Sequence, residues 1–359
     1  MSCDCPNIAV FKPQRQANGK RELDKMFSWS AADYDMIVNN IVSKFSGKND
    51  TRPIHLHVPG AGFREAMLVP CGHCIGCRLE YSRQWATRCC LEALSHECNF
   101  FLTLTYADLH LPTAPRSLTI DNDTGEILRD GYSHPLDPPA LTKFFKDLRR
   151  YYSYHYNLDN IRFFAVGEYG DKSQRPHYHA ICFNLPIFDL KFYKRDFAGH
   201  PLYTSEILSN IWKNGYVVVA ECCFDTCAYV ARYVLKKQTG LNKQVYDYLN
   251  ITPEFTRMSR RPGIARFYYD ANMDTIYAAD QITIVGAGKK ALQCQPPKYF
   301  DDLYGLDHDM TGISDRRLYA SQLRQVDKVS SSPLRPSSIL QSEVDARNNV
   351  FIALKRTDL

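Results

Sequence analysis

The stretch IRFFAVGEYGDKSQRPHYHAICFN, Ile161 to Asn184, holds two apolar, aromatic-rich runs separated by a short polar loop. Runs of this length and composition read as strands, and so short a loop returns the chain antiparallel to itself. His177 and His179 stand two apart at the start of the second run, so in a strand they share a face and lie about 6.6 Å apart. Pro176 suits the strand entrance, where no ladder donor is needed. Glu168 ends the first run, and hairpin pairing brings its carboxylate to the face of both imidazoles. One carboxylate and two imidazoles make a three-ligand set with positions left for water or substrate, which is the pattern of a catalytic metal site. Taken alone, the histidine pair fits two half-exposed strand-end residues equally well, and the rest of the chain has to decide.

Upstream, NFFLTLTY (Asn99 to Tyr106) reads as a central strand. Asp137 before Pro138 is a helix cap, and the run after it places Leu141, Phe144, Phe145 and Leu148 on one helical stripe. Downstream, TSEILSNIWKNG supplies a short helix ending at Asn214-Gly215, followed by the strand YVVVAEC (Tyr216 to Cys222). The order strand, helix, strand, strand, helix, strand predicts an α+β fold, an antiparallel sheet of about five strands with flanking helices in the ferredoxin-like manner.

One more helix follows, TCAYVARYVLKKQT. It sets Tyr229 and Tyr233 on one face, about 6 Å apart along the axis, with Lys236 three residues further on. Tyrosines at this spacing also serve as ordinary packing, but beside a His, His, Glu set they become candidate nucleophiles. Tyrosine attacks poorly at its usual pKa of about 10, and a metal polarising a phosphodiester lowers that barrier. Attack leaves a phosphotyrosine and a free 3′ hydroxyl, and the retained bond energy allows rejoining without ATP. The chain correspondingly lacks a P-loop: in IVGAGKK, Thr283 stands where the motif requires Gly, and Lys290 follows Gly288-Lys289 in place of Ser or Thr.

The 359 residues carry a net charge of +5, with 45% hydrophobic and 23% charged residues, which describes a globular protein only mildly biased toward nucleic acid. Its 23 Tyr and 19 Phe offer rings for stacking on unpaired bases as well as for a core. No signal-peptide-like segment and no apolar run of about 20 residues stand in the sequence, so no membrane partner is expected. Of 13 cysteines, Cys71, Cys74 and Cys77 have the tight spacing of metal ligands in a reducing compartment. They read as three ligands of a structural Zn²⁺, with His73, Cys3, Cys5 or Cys98 as the fourth, or else as buried thiols. RMSRRPGIAR (Arg257 to Arg266) is a basic loop, either solvated or in contact with phosphate.

The organisation expected is an N-terminal region, 1–98, irregular at first and ending in the cysteine cluster and a basic helix. A core at 99–240 follows, then an extension at 241–306 with the basic loop, and a polar, partly flexible tail at 307–359.

Three motifs in order, FLTLTY (Phe101 to Tyr106), RPHYHAICF (Arg175 to Phe183) and YVARYVLKK (Tyr229 to Lys237), resemble those of HUH endonucleases that initiate rolling-circle replication. CGHCIGCRLEYSRQWATRC (Cys71 to Cys89) and the basic loop are similar to the initiation proteins of small single-stranded DNA phages of the Microviridae, gokushovirus-like, over about Val69 to Tyr269. The resemblance implies a metal-dependent enzyme that nicks and rejoins a phage origin strand, with His177, His179 and Glu168 holding Mg²⁺ or Mn²⁺. It implies Tyr229 and Tyr233 as alternating nucleophiles and Lys236 near the scissile phosphate, with Arg175, Arg257, Arg260, Arg261 and Arg266 as candidate DNA contacts. Partners implied are single-stranded or supercoiled origin DNA and a host helicase and polymerase, in the bacterial cytoplasm. Tyr178 and Arg232 depart from the family pattern, which favours a bulky aliphatic and Lys there. The competing classes are a non-catalytic zinc-stabilised nucleic-acid-binding protein, which leaves both pairs unexplained, and a transposase or relaxase of the same superfamily.

Overall fold

The structure is a computed structural model that describes residues 3–16, 21–28, 30–47, 54–58, 62–116, 119–120, 124, 127–128, 131–170, 173–196, 199–232, 244–284 and 291–355. Through residue 93 the chain forms β1 (Asn7–Arg15), β2 (Arg21–Phe27), α1 (Ala31–Gly47), β3 (Ile54–Val58), β4 (Gly62–Val69) and α2 (Ile75–Ala93). Then come β5 (Asn99–Tyr106) and four two-residue strands, β6 (Ala114–Pro115), β7 (Thr119–Ile120), β8 (Ile127–Leu128) and β9 (Tyr132–Ser133). They are followed by α3 (Pro138–Tyr156), β10 (Arg162–Tyr169), β11 (Pro176–Phe183), β12 (Lys191–Arg195), β13 (Pro201–Thr204), α4 (Glu206–Trp212), β14 (Gly215–Glu221) and α5 (Phe224–Arg232). The remainder is α6 (Gln244–Leu249), β15 (Phe255–Met258), α7 (Arg266–Ala279), β16 (Ile282–Ile284), β17 (Leu292–Cys294), α8 (Lys298–Asp307), α9 (Thr311–Ser330) and α10 (Pro336–Lys355). Two compact units divide these elements: Met1–Tyr81 with Thr275–Gln281 and Gln295–Asp358, and Ser82–Asp274 with Ile282–Cys294.

The second unit carries a seven-stranded antiparallel sheet in the order β12-β13-β14-β5-β11-β10-β15. Its middle four strands follow the expected βαββαβ path, since a strand–helix–strand crossover leaves room between β5 and β10 that the returning hairpin strand β11 fills. Leu102, Leu104, Tyr178, Ala180, Val217 and Val219 bury one face of the sheet against Leu141, Phe144 and Leu148 of α3 and Leu208 and Trp212 of α4. Phe145 stacks on Phe163, centroids 3.6 Å apart. Asp137 caps α3 as expected, its Oδ1 accepting from Ala140 N–H at 3.1 Å, and Ser205 Oγ accepts from Leu208 N–H at 3.1 Å to start α4. Gly215 begins β14 where any Cβ would stand 2.3 Å from the Thr105 carbonyl oxygen, so only glycine lets the two strands approach.

The α+β class holds, and the sheet is wider than expected. Strands β12 and β13 form a hairpin on one edge and β15 pairs with β10 on the other. All five β12 residues are exposed, so no buried alternation marks that strand in the sequence.

In the first unit, β2-β1-β4-β3 form an antiparallel sheet where the sequence reads as irregular. Register shifts after Val10 and Phe11 break the alternation of β1, and β2 is mostly exposed, which hides both from a period-two reading. Ile8, Val10 and Ala66 of this sheet bury against Ile37 and Ile41 of α1. The segment after Asp307, read as a loose polar tail, is instead two helices of 20 residues each, α9 and α10. Each buries only a narrow stripe: Leu340 packs with Tyr34, Val38 and Val329, and Asp35 accepts from Ser337 N–H at 2.7 Å at the start of α10. Arg317 of α9 pairs with Asp280 and, at 2.7 Å, with Asp301. Among the described residues no helix is long and apolar enough to cross a membrane.

Candidate active site

Pairing places Glu168 opposite His177 and Val166 opposite His179, with Thr105 and Thr103 on the other side of the two histidines. These side chains share the face turned away from α3. Residues directly opposite in an antiparallel ladder lie on one face, so the convergence expected from the hairpin follows from its register. His179 is 7% exposed and Glu168 4% exposed. Nε2 of His179 lies 2.8 Å from Oε1 of Glu168, and Nδ1 lies 3.2 Å from Thr103 Oγ1. Both ring nitrogens thus have an oxygen partner, which fixes the plane of the imidazole. Phe101 lies parallel to that ring, centroids 5.7 Å apart and planes within 6°.

His177 shares the face and is half-buried, but its ring is directed toward the turn after β10. A Cβ on Gly170 would stand 3.0 Å from its Nε2, so the glycine keeps space open for this imidazole. Donor atoms of Glu168, His177 and His179 do not all lie within 4.8 Å of one another; among the described residues only Cys3, Cys5, Cys71 and Cys74 form such a group. The structure therefore brings Glu168 and His179 into direct contact and sets His177 beside them.

Helix α5 lays Tyr229 over the same face. Its ring meets His179 edge-on, centroids 5.7 Å apart at 82°, and meets Phe101 likewise at 5.9 Å and 83°. Tyr233 and Lys236 lie outside the described residues, as do positions 285–290 of the glycine-containing IVGAGKK segment. Arg232 turns back along the helix, Nε donating to Ala228 O at 3.4 Å.

Tyr178, between the two histidines, points to the opposite face. Its hydroxyl donates to Asp137 O at 3.0 Å and accepts from Asp137 N–H at 2.8 Å, with Tyr106 Oη 3.1 Å away. Burial pushes its phenol far above the ordinary range. The departure at this position thus sits in the core and leaves the site face untouched.

The arginines separate. Arg175 donates to Asp108 at 2.5 Å and to Tyr106 O at 2.9 Å, tying the start of β11 to the end of β5. Arg257 pairs opposite Ala165, a core residue of the α3 face, so it points away from the histidines. Arg266 pairs with Asp270 at 2.7 Å within α7. Arg260 and Arg261 are exposed. The loop that holds them is anchored from beneath: Arg162 donates to Pro262 O at 2.9 Å and Gly263 O at 3.1 Å, Arg88 donates to Ile264 O at 3.0 Å, and Glu92 accepts from Ala265 N–H. Arg162 and Glu92 also form a buried ion pair. Thr103, Phe101 and this pair escape a motif reading because each is an ordinary strand or helix residue whose partner is remote in sequence.

A family model described as replication-associated protein ORF2 matches residues 99–238, which include every member of the site. The chain is 36% identical over 234 residues to replication-associated protein ORF2 of Spiroplasma virus 4, covering 65% of this chain and 66% of that one. It is 29% identical over 242 residues to replication-associated protein VP4 of Bdellovibrio phage phiMH2K, covering 67% and 68%. It is 38% identical over 178 residues to replication-associated protein ORF4 of Chlamydia phage 1, covering 47% and 38%. No solved structure matches. The strands and helices that carry Thr103, Glu168, His179 and Tyr229 coincide with the matched segment, and through it the chain belongs to the ORF2 family of phage replication-associated proteins.

Proposed function

We propose that the protein initiates rolling-circle replication, nicking and rejoining single-stranded phage origin DNA through a 5′-phosphotyrosine in the manner of HUH endonucleases. The observation that carries this reading is Tyr229, held edge-on to a buried His179 that is itself fixed between Glu168 and Thr103.

The donor set fits a divalent cation, with two imidazoles and a carboxylate at neighbouring register positions of one sheet face. Thr103 Oγ1 is placed to accept from Nδ1–H when Nε2 is a ligand, the outer partner that metal-bound imidazoles usually have. Mg²⁺ or Mn²⁺ held by His177, His179 and Glu168 would supply positive charge to polarise the scissile phosphodiester. The phenolic oxygen of Tyr229 forms the new O–P bond as the bond to the 3′ oxygen breaks, and the phenolic proton passes through solvent to that departing oxygen. Ring contacts with His179 and Phe101 restrict the approach of the hydroxyl. Tyr233 would make the second cleavage and Lys236 would meet the phosphate, both on motif spacing alone. Arg260 and Arg261 are free to meet phosphates, and Tyr216, 68% exposed and opposite Thr105, offers a ring to an unpaired base. A host helicase and polymerase in the bacterial cytoplasm would complete the cycle.

The test incubates a randomised single-stranded DNA pool, labelled at its 3′ ends, with the full chain and Mn²⁺ and separates the products on a denaturing gel. A labelled protein adduct that needs the metal and disappears in the Tyr229→Phe, Tyr233→Phe double variant supports the mechanism. Adduct persisting in the double variant overturns the nucleophile assignment. Absence of adduct on both the pool and supercoiled phage DNA, with binding intact, favours the non-catalytic reading.

A further inference from the structure

We propose that Cys3, Cys5, Cys71 and Cys74 are the four ligands of a structural zinc site, independent of the nicking site. Their sulfurs all lie within 4.8 Å of one another. Cys5 Sγ is 3.4 Å from Cys71 Sγ, and Cys74 Sγ is 3.7 Å from Cys3 Sγ. A tetrahedral ion with Zn–S bonds of about 2.3 Å holds its sulfurs about 3.8 Å apart, so the cluster needs only small adjustments to close on it.

The backbone around the cluster is arranged for anionic sulfur. Cys71 N–H is directed at Cys3 Sγ (3.2 Å), and Asp4 N–H at Cys74 Sγ (3.1 Å). The amides of His73 and Cys74 both point at Cys71 Sγ (3.4 Å each), and the amide of Cys77 points at Cys74 Sγ (3.4 Å). A neutral thiol is a weak acceptor, whereas five amides around three sulfurs stabilise thiolates, the form a metal binds.

This arrangement reassigns the cluster read from the sequence. Cys71 and Cys74 are members, two of the four candidates for the remaining position enter together, and Cys77 contributes its N–H while its thiol stands beside that of Cys3 and outside the four. The first pair, Cys-x-Cys, lies ahead of β1, and the second, Cys-x-x-Cys, opens α2. Between the first two cysteines, Asp4 accepts from Gly76 N–H at 2.9 Å in the first turn of α2 and from Arg347 Nε of α10 at 2.7 Å. Closing a loop of more than 60 residues with one ion stabilises the first unit chiefly by restricting its unfolded chain. Four thiolates leave no position for substrate, so the role is structural.

The test measures metal content of the full chain purified under reducing conditions, and records the visible spectrum after exchange with Co²⁺. The expected result is one zinc per chain and the d–d and thiolate charge-transfer bands of tetrahedral tetrathiolate cobalt. Both signals should persist in Cys77→Ser and in the His177→Ala, His179→Ala double variant, and metal should be lost from Cys74→Ser. Metal-free folded wild type, or peptide mapping that finds Cys3–Cys74 and Cys5–Cys71 disulfides in that preparation, overturns the proposal. Loss of zinc in Cys77→Ser with Co²⁺ bands changed in wild type overturns the assignment of the four ligands, and loss in the histidine variant would move the ion to the nicking site.

Discussion

Thr103 governs the chemistry of the site without bearing any recognisable motif. Its hydroxyl is the oxygen partner of His179 Nδ1, so Thr103→Val removes the group that fixes the imidazole while keeping shape and strand propensity. We expect Mn²⁺ affinity to fall about 10- to 100-fold, with adduct formation restored by excess metal and thermal stability little changed. A metal titration of the cleavage rate checks this, and a defect that excess Mn²⁺ does not rescue would assign Thr103 another role. Gly170→Ala puts a methyl group 3.0 Å from His177 Nε2 and should reduce cleavage while leaving DNA binding intact, measured by comparing adduct yield with filter binding. The His177, His179 and Glu168 set was readable from sequence because period two and a short hairpin fix which residues share a face. The tilt of the His177 ring toward Gly170 was not, because a rotamer answers to local packing that periodicity does not encode.

At the scale of elements, α2 and β10 are joined by one costly interaction. Glu92 and Arg162 pair in the interior, and Glu92 also meets His96 and the Ala265 amide. Burial pushes the Glu92 carboxyl up, but the hydrogen bonds from His96, Arg162 and Ala265 outweigh it and hold the group below its usual range. The unfolded chain therefore binds this proton at higher pH than the folded one. The stabilisation is present above about pH 4.3 and is lost as pH falls through the lower folded value. Glu92→Gln leaves the guanidinium buried without its anion and should cost about 3–5 kcal/mol near neutral pH, with the gap from wild type narrowing in acid. Urea unfolding at pH 7 and in acid measures both, and a pH-independent gap would contradict the assignment. The middle strands and α3 were legible because apolar pattern and cap agree at Asp137. Edge strands β12 and β15 were not, because pairing at a sheet margin leaves side chains exposed and gives hydropathy nothing to record.

Across the whole molecule a net charge of +5 over 359 residues is too small to bind DNA by itself, so affinity must come from local clusters. Arg260→Ala with Arg261→Ala should weaken single-stranded DNA binding and reduce the salt slope by about 0.7 for each phosphate the loop no longer neutralises. Binding isotherms at several salt concentrations test this, and an unchanged slope would remove the loop from the interface. The N-terminal sheet and the C-terminal helices were the least legible parts, since each supplies half of a core. Ile37, Val38 and Leu340 make sense only together, and their separation in sequence exceeds any periodic window. That division sets an order of assembly on the ribosome. Unit Ser82–Asp274 has most of its sheet and helices available once its own residues have emerged, whereas α1 waits for α9 and α10, among the last residues made. The half of the protein that is translated first is therefore the half that finishes folding last, and arrested nascent chains ending near residue 300 should yield a protease-resistant second unit beside a still-digestible N-terminal sheet.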